Sequence, residues 1–336
     1  MNYKRGFRLA TLNRIIAKAG LLTNEIQKAI DNKSTEQSVE QTNEDVPNKP
    51  IFAKGSLSIS SGVPGVAINV PTNPIIGGET YVDKNGETKY KSGTYNVVGW
   101  VKPPKLMSGG VPLPTLTNAI IVTAVPSGAA AKSLSTGYTQ AFGNNRWWET
   151  TKANIDQAMK KHYGNVSLGK SALGSHSGGA SAVAAAIRDG ADPDAVIILD
   201  GIHNFGKTPS GPNLETFIEY AKKAAKDPNK RFINVFSQII PSKQNKDTGK
   251  WETYVSAKES AEYIANAVGA KPQPVTRQMG DFAPVSELKA GGVEMYSAYP
   301  PGKYNVEQMK RQHIDISNNA KDIFSTLAEQ WNIPSQ

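Results

Sequence analysis

The stretch Ser175-His176-Ser177-Gly178-Gly179 has residue types and spacing suited to covalent chemistry. Ser177 falls between a short apolar segment ending at Gly174 and a run of small residues, GGASAVAAAIRD (178–189). A sharp strand-to-helix turn at this point strains the backbone of its middle residue. Only small side chains then fit two positions to either side, and Ser175 and Gly179 meet that demand. The pattern is that of a nucleophile elbow, G-x-S-x-G, with Ser175 in place of the first glycine. Such a turn lifts the Ser177 hydroxyl above a sheet edge. It also aims the N–H of Gly178, at a helix N-terminus, toward a developing oxyanion. The bland alternative is a Ser-rich turn or a phosphate-binding loop. A second oxyanion donor would come from the loop after the apolar run AIIVTAV (119–125), where Ser127 and Gly128 are candidates.

A serine hydroxyl is a poor nucleophile until a base takes its proton. Four histidines compete. His162 ends a predicted helix and reads as a surface residue. His176 adjoins Ser177, but neighbouring side chains diverge at an elbow. His203 lies a few residues beyond the strand AVIIL (195–199), on the same sheet edge. His313 lies in RQHIDIS, after the last predicted strand and before the last predicted helix. Among acids, Asp200 terminates AVIIL, and a carboxylate ending a wholly apolar strand is costly to bury without a partner. That partner is either an imidazole or the backbone N–H groups of the next turn. After RFINVFS (231–237) no carboxylate follows directly; Asp247 and Glu252 come only after an apparent hairpin insertion. Arg146, Trp147 and Trp148 either line a cleft or, for the tryptophans, pack in the core.

The elements that position these residues alternate. The expected helices are 149–162, 178–189, 214–226, 256–268 and 315–330. The expected strands are 119–125, 170–175, 195–199, 231–237 and 292–299. This succession predicts βαβ units and a doubly wound, mostly parallel α/β sheet. Residues 55–115 are rich in Gly, Pro, Ser and Val and read as β-rich, with strand-like pieces at 66–70 and 94–101. In DKNGET (83–88) an Asn-Gly pair marks a hairpin. Residues 1–30 form a basic, amphipathic helical pattern with no continuous apolar core of a secretion signal, although a mitochondrial presequence would look similar. Residues 31–50 are a polar linker. The expected organisation is a tail over 1–50 and one domain over 51–336.

Over about 115–330 the chain resembles the α/β-hydrolase superfamily. The resemblance is carried by HSGG at the elbow, by the strand–helix succession and by the chain order Ser…Asp…His. It implies a serine esterase or lipase-like hydrolase acting on a small-molecule or polymer ester, thioester or amide. The superfamily places its base where His313 stands, with His203 as the competitor. It usually places its acid after the strand that here is RFINVFS, but some members use the position of Asp200, leaving Glu252, or no acid at all, as the alternatives. Such a triad needs no metal and no organic cofactor.

Composition narrows the remaining classes. The 336 residues are 38% hydrophobic and 20% charged, enough for a sizeable core. With Cys 0 there is no disulfide framework, zinc-thiolate site or cysteine nucleophile, and His 4 disfavours a His-rich metal site. No run of about 18 apolar residues predicts a membrane helix. A net charge of +9 permits attraction to anions but specifies no nucleic acid, and no recognition motif is present. The alternative to an enzyme is a non-catalytic hydrolase-fold subunit of a large assembly, such as a virus particle, docked on a protein partner through residues 1–50. The corresponding location is cytoplasmic or assembly-associated.

Overall fold

In a computed structural model, the chain is described over residues 57–71, 74–101, 119–126, 137–143, 146–203, 208–240, 242–244, 251–253, 255–275, 278–279, 282–300 and 302–320. The expected basic helix (1–30), the linker (31–50), the loop with Ser127 and Gly128, Asp247, and 321–330 of the expected final helix lie outside those residues.

The first strands are β1 (Val66–Asn69), β2 (Ile75–Ile76), β3 (Thr80–Val82), β4 (Thr88–Tyr90), β5 (Thr94–Val101) and β6 (Ala119–Ala124). Helices α1 (Gly137–Phe142) and α2 (Trp147–Tyr163) precede β7 (Ser167–His176). A 3-10 turn (Ser177–Gly179) then leads directly into α3 (Ala180–Arg188). There follow β8 (Ala195–Leu199), α4 (Pro212–Lys226), β9 (Arg231–Phe236), and a small ribbon of β10 (Ser242–Gln244) and β11 (Trp251–Thr253). The described chain closes with α5 (Ala257–Val268), β12 (Lys271–Gln273), β13 (Ser286–Ala290), β14 (Val293–Ser297) and α6 (Val306–Asn318).

The main sheet has 10 strands, in the order β1-β6-β5-β7-β8-β9-β14-β13-β12, with β2 paired to the start of β5. The six strands from β6 to β14 run parallel. The edges are antiparallel: β1 on β6 at one side, and β13 then β12 at the other. The protein is therefore α/β with a mostly parallel mixed sheet. The expected 292–299 strand is β14, but the β12 and β13 extension was not expected. Its strands are short and largely exposed, with Pro272 in β12, so they carry no apolar run.

Strand residues alternate between two cores. On one face Val97, Leu173, Ile198 and Phe232 pack with residues of α1 to α5, including Phe142, Trp147, Ala184, Phe217 and Ile264. On the other face Ala172, Ile197, Leu199 and Val235 pack with Ile316 of α6. Burial on both faces explains why AIIVTAV and AVIIL are continuous apolar runs. Trp147 and Trp148 are fully buried core residues, so they line no cleft, and Arg146 is the exposed residue before α2. The expected hairpin forms between β3 and β4. Asp83 Oδ1 accepts from the N–H groups of Asn85 (2.8 Å) and Glu87 (3.0 Å), and Gly86 takes φ +81°. Among the described residues no helix is long and apolar enough to cross a membrane.

After β5 the chain steps outward to β6, then returns past β5 to form β7. A crevice opens at such a reversal, outside the carboxyl ends of the strands, and Ser177 immediately follows the end of β7 there.

Candidate active site

Ser177 adopts φ +54°, left-handed and costly for a residue with a side chain. The packing holds it there. A Cβ on Gly179 would lie 2.9 Å from the Val101 carbonyl oxygen and 3.2 Å from Ser175 Cβ. The positions two before and two after Ser177 thus face each other, and both must be small. Gly201 presses on the same turn: a Cβ there would meet the Ser177 carbonyl oxygen at 2.6 Å and Ala180 Cβ at 2.9 Å. Gly178 follows at the start of the helical segment. Ser181 Oγ donates to its carbonyl at 2.9 Å, and its N–H belongs to the first turn, where amides lack intrahelical acceptors.

Asp200 ends β8 and is the partner strand's counterpart of Ser177. His176 pairs with Leu199 in register, so the two residues leave neighbouring parallel strands at one level. Asp200 also adopts a left-handed conformation, φ +48°, and is fully buried. Its Oδ1 accepts from the Ser237 N–H (2.8 Å), and its Oδ2 accepts from Ser237 Oγ (2.6 Å). Oδ2 also lies 2.7 Å from His313 Nδ1. Burial alone would push this carboxyl up. The His313 and Ser237 hydrogen bonds outweigh it and hold the carboxyl below its ordinary value.

His313 Nε2 lies 3.0 Å from Ser177 Oγ. With the proton on Nδ1, His313 donates to Asp200 and accepts from the serine hydroxyl. The structure thus joins Ser177, His313 and Asp200 in one hydrogen-bonded line. His313 is not ahead of the last helix, as expected, but inside α6. That helix starts at Val306, because Asn305 and Gln308 form a reciprocal capping box. Buried Gln312 docks α6 by accepting from the Gln238 N–H (3.1 Å), and the Tyr299 hydroxyl donates to Asp315 Oδ2 (2.9 Å).

The other candidates take different places. His176 is buried beside His313, ring centroids 4.6 Å apart, with Nε2 at 3.4 Å from the His313 carbonyl oxygen. Burial, then the neighbouring His313, push its pKa down to about 3, so it stays neutral. The imidazole bonded to Ser177 is that of His313, while His203 lines a cavity beside it, its pKa lowered chiefly by burial. His162 is exposed at the end of α2. Glu252 lies on β11 in the separate ribbon, whereas Asp200 contacts the imidazole. Sequence reasoning missed Ser237 and Gln312. The polar pair Ser237-Gln238 directly after the apolar strand RFINVF was the available signal.

The cavity beside Ser177 has a volume of about 310 Å³. Its walls come from the elbow, the loop after Asp200, and helices α3, α4 and α5. Among the described residues no cluster of three or more His, Cys, Asp or Glu is arranged to hold a metal. No protein-family model matches the chain, and no curated protein is significantly similar to it.

Proposed function

We propose that this protein is a serine hydrolase of α/β-hydrolase type that cleaves an ester, or a thioester or amide, through a covalent acyl-enzyme. The observation that carries this reading is the unbroken line from Ser177 Oγ to His313 (3.0 Å) to buried Asp200 (2.7 Å), with Ser177 in a strained turn. The order Ser…Asp…His and the strand-to-helix placement of the serine support the hydrolase type.

In this reading Ser177 Oγ attacks the carbonyl carbon while His313 Nε2 takes its proton. The negative charge moves to the carbonyl oxygen, where the Gly178 N–H is the available backbone donor. The tetrahedral adduct collapses, the bond to the leaving group breaks, and His313 returns the proton to that group. Water, deprotonated by His313, then attacks the acyl-enzyme; the carboxylic acid leaves and Ser177 regains its proton. Asp200 fixes the imidazole tautomer and stabilises the imidazolium, and Ser237 keeps Asp200 ionised.

The test is hydrolysis of a short-chain aryl ester. Ser177→Ala should lower the rate by a factor on the order of 10⁶, the scale measured for such triads. Equal hydrolysis by the variant and the parent would move catalysis elsewhere.

A further inference from the structure

One buried side chain at the site takes no step in the acyl-transfer scheme. His176 directly precedes Ser177, yet alternation along β7 puts it on the sheet face of Ala172, the face that α6 covers. There it meets the base twice. Its ring packs on the His313 ring, centroids 4.6 Å apart and planes tilted by 34°. That separation falls within the range of favourable aromatic pairs. Its Nε2 lies 3.4 Å from the His313 carbonyl oxygen; a carbonyl only accepts, so the proton is on Nε2. Strand β7 thus reaches both the ring and the main chain of His313, and the next residue of the chain is the nucleophile.

Histidine is a costly residue at this position. His176 is buried, and its Nδ1 has no hydrogen-bond partner among the described residues. A leucine there would carry no such cost. The His313 side chain keeps 21% of its surface exposed, so packing does not enclose it on every side. Two hydrogen bonds hold its ring in the resting protein, one to Asp200 and one to Ser177. Acylation removes the second, because Ser177 Oγ is then an ester oxygen with no proton to give. In the deacylation half, a water oxygen attacks the acyl carbon while His313 Nε2 takes the water proton. The bond from the acyl carbon to Ser177 Oγ breaks, and His313 returns the proton to Oγ. The imidazole must therefore wait in place with Asp200 as the remaining partner of its triad bonds. Burial keeps His176 neutral, so it adds no charge beside the imidazolium that His313 becomes.

We propose, resting on the acyl-transfer reading, that His176 is a positioning residue for the base: its ring supports one face of the His313 imidazole and holds it in line while Ser177 is esterified. His176 acts through His313 and not on the substrate, and its effect falls on deacylation.

Burst kinetics on an aryl ester test it. His176→Leu removes the ring, whereas His176→Phe keeps a ring and gives up the longer polar contact. Loss of one aromatic pair should slow deacylation about two- to ten-fold. In His176→Leu, kcat and KM should fall together, the initial burst of phenol should stand out more sharply from the slower turnover, and kcat/KM should change less. His176→Phe should recover most of the lost rate. A crystal structure of the parent phosphonylated on Ser177 by an alkylphosphonyl fluoride, which mimics the esterified state, should keep the two rings at stacking distance. Unchanged turnover in His176→Leu, kcat/KM falling as far as kcat, or His176→Phe as slow as His176→Leu overturns the proposal. So does a His313 ring swung away from His176 in the phosphonylated parent. Failure of the reading beneath looks different: a parent that neither hydrolyses the ester nor is phosphonylated at Ser177 removes the hydrolase reading and this proposal together.

Discussion

Replacing Ser237 with alanine is a sharp test of how the buried acid is maintained. Asp200 is fully buried, and both its oxygens lean on Ser237: the backbone N–H reaches Oδ1 and the hydroxyl reaches Oδ2. The substitution leaves the backbone bond and removes the hydroxyl. The lost bond has a charged acceptor, worth about 1.5–3 kcal/mol. The Ile239 N–H, which donates to Ser237 Oγ at 3.0 Å, loses its acceptor as well. The native protein should therefore lose about 2–4 kcal/mol of stability at neutral pH. The sign with pH follows from linkage. The Asp200 pKa is depressed in the folded state, so its contribution is complete above the unfolded carboxyl value and is lost as pH falls through the folded value. Removing the Ser237 hydroxyl raises the folded value. The acid limb of kcat/KM should accordingly move to higher pH, and acid unfolding should begin at higher pH. Denaturant titration across pH, together with a pH–rate profile on an aryl ester, reads both effects. A variant with parental stability and an unmoved acid limb would refute the claim that the Ser237 hydroxyl keeps Asp200 ionised.

Further expectations concern the elbow, the second imidazole and the docking of α6. Gly179→Ala pushes a Cβ to 2.9 Å from the Val101 carbonyl oxygen; thermal melts should show a loss of about 1–3 kcal/mol, with activity falling alongside. His176, held neutral with a pKa of about 3, makes the unfolded chain bind one more proton between pH 6.5 and 3, so stability should fall as pH drops through that window. His176→Leu should flatten that slope in urea titrations. Tyr299→Phe removes the hydroxyl bond to Asp315 on α6; kcat on the aryl ester should drop several-fold while the isolated melting transition shifts by about 1 kcal/mol or less.

What was legible in the sequence depended on how hard the physics presses on side-chain choice. The strained turn at Ser177 demands small residues at 175 and 179, so it left a readable pattern. Asp200 stood out because five apolar residues precede it, and burial without a partner is costly. Strands β6 and β8 were legible because burial on both faces makes them almost wholly apolar. The α6 start was misjudged because the helix opened by the Asn305–Gln308 capping box is strongly polar and holds few apolar residues. Ser237 carries its role through one hydroxyl and one amide, and a serine after a strand is common in any sheet protein. The β12 and β13 strands had no core-facing run to announce them. The tryptophan pair before the elbow pointed both ways, and the core claimed it.

The pressing together of the turns at Ser177 and Gly201 reaches beyond the active site. Two neighbouring strands end level, each in a left-handed residue, and the glycine after one turn fits only because it rests on the carbonyl of the other. Ser177 and Asp200 are thus spaced by main chain, like two teeth cut from one plate. A site written in backbone asks for few letters: small residues at 175, 179 and 201, reactive ones at 177, 200 and 313, and a donor at 237. His313 is set separately, by the docking of α6 through Gln312 on the Gln238 amide and Tyr299 on Asp315. Such a site can keep its geometry while the sequence around these few positions changes.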